Sequence, residues 1–159
     1  MTSSTKMWAT LREEAAARKE REPVLGGMLA AAILDRRTLA EALAARLAQE
    51  LATPDLDATR LREIFSGCYA ADATLIKVAA KDCATVTERD PAATSPLLPF
   101  LFFKWFQALQ TYRLAHHLWG QGRDTLALYL QAWSSRRFGV DIHPAALIGQ
   151  GIMLDHAHG

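Results

Sequence analysis

Cysteine, net charge and long apolar runs are all scarce in this 159-residue chain. Its two cysteines, Cys68 and Cys83, form no Cys-x-x-Cys pair, so we interpret both as reduced thiols in a helical core rather than as a disulfide or a metal site. The 18 Lys and Arg residues nearly balance the 17 Asp and Glu residues. The sequence therefore predicts no overall field that favours nucleic acid or an anionic membrane.

The sequence also lacks a recognisable export signal or membrane span. Residues 1–6 are polar, and the helix expected after them is charged. The most apolar run, residues 96–106, contains Pro96, Pro99 and Lys104 and is about half as long as a bilayer-spanning helix. We therefore expect a soluble, cytoplasmic protein.

Helical patterning fills residues 1–139. Half of the residues in the chain are apolar, as in an ordinary globular domain. Apolar residues recur three or four apart between breakers, which predicts a mainly α fold with a bundle of about seven helices. Both Cys68 and Cys83 lie within this pattern.

Several helix starts are visible in the sequence. Thr38 with Glu41 three residues later forms a capping box. Asp57 or Thr59 is expected to begin the next helix, and Asp72 is expected to cap the one after it.

Two further helices are predicted from apolar content. Residues 24–34 are nearly uncharged, which predicts a helix that is buried on all sides. One long helix is expected to carry the aromatic residues from Phe102 to Trp119 and to end at Gly120 and Gly122. We interpret its aromatic stripe as core or subunit interface.

The pattern changes after Gly139. Aliphatic residues now recur six positions apart, at Ile142, Ile148 and Leu154. Neither a helix nor a single strand has this period, whereas hexapeptide repeats of a parallel β-helix do. Three hits alone are only moderately specific.

Particular motifs identify the family that the chain resembles. Asp141-Ile142-His143-Pro144 and Leu154-Asp155-His156 stand in the last segment, and shorter motifs precede them, namely Arg89-Asp90-Pro91-Ala92, Thr111-Tyr112-Arg113 and His117-Leu118-Trp119. Together they resemble bacterial serine acetyltransferases over nearly the whole chain. The resemblance implies an N-terminal α-helical assembly domain, residues 1–139, and the first coil of a truncated left-handed parallel β-helix, residues 140–159. His158 departs from the family, which usually has Thr there.

The resemblance also implies which residues form the site. Acetyl transfer to the hydroxyl of serine needs a base, and His156 takes that role, with Asp141 on its second ring nitrogen. Asp90 and Asp155 are the expected substrate-binding carboxylates, which meet the ammonium group of serine. Acetyl-CoA is the co-substrate, its binding residues are expected beyond Gly159, and no tightly bound cofactor or metal is implied.

Some of these residues have plainer interpretations. Asp90 precedes Pro91, so by default it is a helix-end or turn residue. His143 is interpreted as structural. Adjacent His116 and His117 point in different directions on a helix, which argues against a shared metal.

The resemblance implies partners as well. Family members form hexamers as dimers of trimers, are inhibited by cysteine at the serine site, and dock a C-terminal tail into O-acetylserine sulfhydrylase. That tail is absent from these 159 residues, and neither nucleic acid nor membrane is an expected partner.

Two main hypotheses follow. The chain is a serine O-acetyltransferase of cysteine biosynthesis, although as a truncated chain it is expected to be inactive by itself. Alternatively, it is a non-catalytic helical oligomerisation module of that enzyme, since a single solenoid coil lacks neighbours to bury its apolar faces. A hexapeptide acyltransferase for another small amine or alcohol is a third interpretation.

Overall fold

The computed structural model describes residues 3–151. Within that range the chain forms eight α-helices and no strand, so the predicted mainly helical fold is confirmed. A 3-10 turn, Pro23–Leu25, and a π-helical turn, Ala30–Leu34, flank the second helix. The α-helices are α1 Ser3–Arg21, α2 Gly26–Leu29, α3 Leu39–Leu51, α4 Ala58–Ala71, α5 Thr74–Arg89, α6 Leu97–Phe102, α7 Lys104–Gly120 and α8 Asp124–Phe138.

The predicted caps at the starts of α3 and α4 are confirmed. The Thr38 side chain accepts a hydrogen bond from the Glu41 amide, and Asp57 Oδ1 accepts one from the Arg60 amide at 2.9 Å. Asp57, and not Thr59, is therefore the N-cap of α4. In a standard capping box Glu41 would also accept a hydrogen bond from the amide of Thr38. Here it accepts one from the amide of Arg37, one residue earlier.

Asp72 also serves the start of α5, but from one residue further away than a standard N-cap. Its Oδ1 atom accepts bonds from the Thr74 amide at 3.0 Å and the Thr74 hydroxyl at 2.6 Å, while Ala73 occupies the N-cap position. The hydroxyl bond is the main reason that the pKa of Asp72 lies below its ordinary value.

The prediction that residues 24–34 are buried on all sides is wrong. Val24 is 87% exposed, whereas Ile33 is fully buried. The segment is a 3-10 turn, a short α-helix and a π-turn, so only one face meets the core. Arg12 Nη1 donates to the carbonyls of Leu34 and Arg36 at the end of the π-turn, which supplies a cation where helix carbonyls lack partners.

The single long aromatic helix is also wrong, because α6 and α7 are separate. Phe103 between them is extended, with φ −87° and ψ 111°. The carbonyl of Leu101 accepts hydrogen bonds from Gln107 Nε2 at 3.2 Å and from Arg46 Nη2 at 3.0 Å. These side chains replace the backbone donors that a continuous helix would supply.

Helix α7 is the centre of the fold and packs against α4, α5, α6 and α8. Of the predicted stripe, which was interpreted as core or subunit interface, Trp105, Phe106 and Tyr112 lie in the core, whereas Phe102 of α6 is 53% exposed. Cys68 and Cys83 are buried free thiols, also as predicted. No helix in the described range is both long and apolar enough to cross a membrane.

Candidate functional site

Asp90, a predicted substrate carboxylate, is the C-cap of α5 and half-buried. Its Oδ1 atom accepts a hydrogen bond from the Ala92 amide at 2.9 Å, and its carbonyl accepts one from Ala93. Asp90 therefore forms the turn that its position before Pro91 predicts. Within residues 3–151 its Oδ2 atom accepts no hydrogen bond, so one carboxylate oxygen is left for another donor.

Asp141, the predicted partner of the base, is exposed three residues after α8. It accepts a hydrogen bond from Gln131 Nε2 at 2.8 Å. The two candidate carboxylates, Asp90 and Asp141, thus accept hydrogen bonds from different partners within residues 3–151.

Asp155, His156 and His158 lie outside the described residues, as does Leu154 of the six-residue repeat. The roles assigned to Asp155 and His156 therefore stay predictions. The chain that leads to them is described as far as Gly151, and it runs along the helical body. We call residues 140–151 the docked segment.

A buried ion pair holds the end of the docked segment. Asp82 on α5 is fully buried, and its carboxylate bonds to Arg113 of α7 through Nε at 2.8 Å and Nη2 at 3.1 Å. Gln110 Nε2 adds a third bond at 2.7 Å. The fourth donor comes from the docked segment, where the Gly151 amide lies 2.8 Å from Asp82 Oδ1.

Arg113 also contacts the docked segment directly. Its Nη2 atom donates to the carbonyl of Gly149 at 2.7 Å, and Nη1 donates to that of Ile148 at 3.4 Å. One guanidinium thus joins α5, α7 and the docked segment. A guanidinium can bond to a carboxylate and two carbonyls at once because its donors lie in a planar fork. The ammonium group of a lysine, which is a single point charge, lacks this geometry.

Two more α7 side chains donate to the same segment. His116 Nδ1 lies 2.7 Å from the carbonyl of Pro144, so that nitrogen carries the proton. The Tyr112 hydroxyl donates to the carbonyl of Ala146. Partial burial raises the pKa of Tyr112, which keeps the hydroxyl protonated as a donor.

His143 has the structural role predicted for it. Its ring packs edge-on against Trp119, with centroids 5.1 Å apart, and Nδ1 accepts a bond from the Ala145 amide at 3.0 Å. His116 and His117 diverge, as expected of neighbours on a helix, since His117 faces Asp72 at 4.0 Å. No group of three potential metal ligands is found within residues 3–151.

The Asp82 contacts were not predicted from the sequence. A signal was available, because Asp82 lies among residues of α5 that are buried, namely Ala79, Ala80, Cys83 and Val86. A carboxylate on an apolar face needs a buried partner. The motif Thr111-Tyr112-Arg113 was identified through the family resemblance alone. Two of its residues, Tyr112 and Arg113, donate hydrogen bonds to the docked segment.

Comparisons with known proteins agree on one family. A family model described as serine acetyltransferase, N-terminal, matches residues 7–111. A serine acetyltransferase of Salmonella typhimurium is 46% identical over 153 residues, which cover 96% of this chain and 56% of the relative. Solved structures of serine acetyltransferase in complex with CoA and with cysteine each match at 45% identity and a TM-score of 0.96.

The two structural matches are nearly complete for this chain but partial for the matched proteins. The match to the CoA complex covers 98% of this chain and 66% of the matched chain. The match to the cysteine complex covers 100% of this chain and 65% of the matched chain. The chain thus spans about half the length of the curated relatives that it matches. On the family model and these identities, the chain belongs to the serine acetyltransferase family.

Proposed function

We propose that the protein takes part in serine O-acetyltransfer, the reaction that moves acetyl from acetyl-CoA to the hydroxyl of L-serine and yields O-acetyl-L-serine for cysteine biosynthesis. The observation that carries the proposal is the 46% identity over 96% of the chain to a serine acetyltransferase. A matched structure of such an enzyme in complex with CoA supports the co-substrate.

His156 acts as the general base. It takes the hydroxyl proton of serine as the oxygen attacks the thioester carbonyl, and it returns the proton to the CoA sulfur when the C–S bond breaks. Asp141 orients the imidazole and stabilises its protonated form, a contribution typical of the acid in a catalytic triad. Its Oδ2 atom is left for this contact, because the bond from Gln131 uses Oδ1 and the residue is exposed.

Asp90 and Asp155 bind the ammonium group of serine. Asp90 offers its Oδ2 atom, because the Asx turn at the end of α5 uses Oδ1. The arrangement divides the site between a helical domain, residues 1–139, and the first coil of a left-handed β-helix, residues 140–159. Acetyl-CoA binds mainly to residues that follow Gly159.

Cysteine competes for the serine site, in keeping with the matched structure of a serine acetyltransferase bound to cysteine. The proposed assembly is a cytoplasmic hexamer, a dimer of trimers. O-acetylserine sulfhydrylase is a partner only of chains that carry the C-terminal tail.

A second candidate function is a helical oligomerisation module without catalysis. The helical body favours it, because residues 3–138 bury a continuous core that includes Leu11, Phe65 and Leu109. Under this function the 159 residues assemble but do not turn over substrate.

Release of CoA thiol from acetyl-CoA with L-serine distinguishes the two candidates. We expect the 159-residue chain to self-associate in light scattering and to show almost no turnover. Turnover of roughly 1 s⁻¹ or more, an ordinary enzyme value, would exclude the module function.

The role of His156 is tested in a chain that also carries the repeats expected after Gly159. His156→Ala should lower turnover by about 10²–10⁴-fold, the usual contribution of a general base. His143→Asn is the matched control, because His143 contacts Trp119 and the Ala145 amide and has no part in the proposed site. Unchanged turnover of His156→Ala would remove it from the base role.

A further inference from the structure

The buried contacts of Asp82 and Arg113 have no part in the proposed chemistry, yet they converge on backbone atoms. The docked segment supplies two carbonyls to Arg113 and one amide to Asp82. These bonds form a receptor for the backbone of residues 148–151. In these bonds every partner within residues 148–151 is a main-chain atom, so they fix the path of the backbone.

We propose that Asp82 and Arg113 are positioning residues, which fix the backbone at residues 148–151 and thereby set where the following residues, Asp155 and His156, begin relative to Asp90. This inference rests on the proposed function. Gly151 stands four residues before Asp155 in the sequence. Asp82 and Asp90 belong to the same helix and its cap, so α5 supplies both the receptor and one substrate carboxylate.

Stability alone does not account for such a pair. Buried ion pairs often contribute no more than apolar residues of similar size, because desolvation offsets their attraction. Here the pair has a directional use. Its carboxylate faces an amide and its guanidinium faces two carbonyls, so each charge meets the backbone group of opposite polarity.

Gly151 gives independent support from the side of the docked segment. Its φ of +69° is a left-handed conformation that favours glycine. A Cβ atom added there would lie 3.1 Å from Thr85 Oγ1 and 3.6 Å from a Lys81 carbon, whereas one added at Gly149 meets no atom within 4 Å among described residues. The chain is therefore shaped for close approach to α5 at Gly151 and not two residues earlier.

The effect of poor positioning on catalysis is large. A misplacement of about 1 Å in a reacting group lowers the rate by roughly 10²-fold. The proposed site joins Asp90 of the helical domain to residues of the coil, so its geometry depends on how the coil starts.

Amide hydrogen exchange on the 159-residue chain tests the receptor. Gly151→Ala and Arg113→Lys should each speed exchange of the residue-151 amide by about tenfold or more, the worth of one charge-assisted bond. Gly149→Ala and Arg46→Lys are the matched controls and should change it by less than about twofold. Arg46 also binds a carbonyl and a carboxylate, those of Leu101 and Glu50, away from the docked segment.

Gly151→Ala keeps the test valid if Arg113→Lys does not fold, because residue 151 lies outside the helical body. Unaltered exchange at residues 148–151 in Gly151→Ala, or equal effects of the glycine variant and its control, would overturn the receptor.

Serine-dependent turnover in a chain with the following repeats tests the positioning role. Arg113→Lys should lower kcat by roughly tenfold or more with little change in the KM for acetyl-CoA, and Arg46→Lys should leave both unchanged. If Arg113→Lys speeds exchange of the Gly151 amide but leaves kcat unchanged, the positioning role is wrong. If the chain with the following repeats and no substitution shows no turnover, the proposed function is wrong, and amide exchange still decides whether the receptor exists.

Discussion

Replacing Asp82 by alanine removes the acceptor that four donor atoms share within residues 3–151. Arg113 loses the bonds that Nε and Nη2 donate to this carboxylate, and Gln110 and the Gly151 amide lose one each. The guanidinium stays behind with its side chain only 9% exposed. Breaking a buried pair on one side costs about 3–5 kcal/mol, because the remaining charge is buried without its partner.

Urea unfolding followed by tryptophan fluorescence measures this loss, and the chain has four tryptophans to report it. A loss of about 3–5 kcal/mol is a large part of the 5–15 kcal/mol typical of a domain, so the midpoint should fall clearly. Arg37→Ala is the surface control. Its ion pair with Glu41 joins side chains that are 90% and 33% exposed, and such pairs contribute about 1 kcal/mol or less.

The double variant Asp82→Leu with Arg113→Met separates stability from positioning. Removing both charges restores most of the stability, since apolar replacements of buried pairs are often neutral. Exchange protection of the Gly151 amide should not return, because its acceptor is gone. A loss below about 1 kcal/mol for Asp82→Ala would refute the reasoning about the buried pair.

Three further predictions concern single features of the helical body. Gly122→Ala should destabilise by about 1 kcal/mol because φ is +78°, while Gly120→Ala at the end of the same helix should be neutral or stabilising; thermal melts compare the two. Cys83 should react with Ellman's reagent only after unfolding, because burial raises the pKa of its thiol; rapid labelling of native protein would contradict this. Asp72 contributes stability above its ordinary pKa of 3.8 and loses it as pH falls through its lowered folded pKa. Unfolding at a series of pH values should therefore show a shallower acid decline for Asp72→Asn, and identical slopes would remove the Thr74 bond as its cause.

Local signals predicted the helices well where local atoms determine them. Thr38 and Asp57 cap their helices through bonds to amides three residues later, so the sequence alone carries that information. The break at Phe103 has no such signal. It depends on Gln107 and Arg46, and Arg46 lies 55 residues away in the chain from the carbonyl that it contacts.

The candidate site shows the same division. Asp90 was expected to be a turn residue or a substrate ligand, and its Asx turn is now described while the ligand role stays a prediction. Asp82 carried no motif, because its partners Arg113 and Gly151 are 31 and 69 residues away. The six-residue repeat and the short motifs indicate the family that each segment resembles. They do not indicate which residues, distant in sequence, donate to the Asp82 carboxylate.

The order of the receptor and its target along the chain has a consequence for folding. Among the described residues, the side chains of the helical body that hydrogen-bond to residues 144–151 belong to α5 and α7, so they precede the docked segment in sequence. Domains fold largely from the N-terminus during synthesis, which is slow relative to helix formation. We therefore expect the helical body to be folded when residues 148–151 emerge from the ribosome, so that it binds them before any later part of the chain is made.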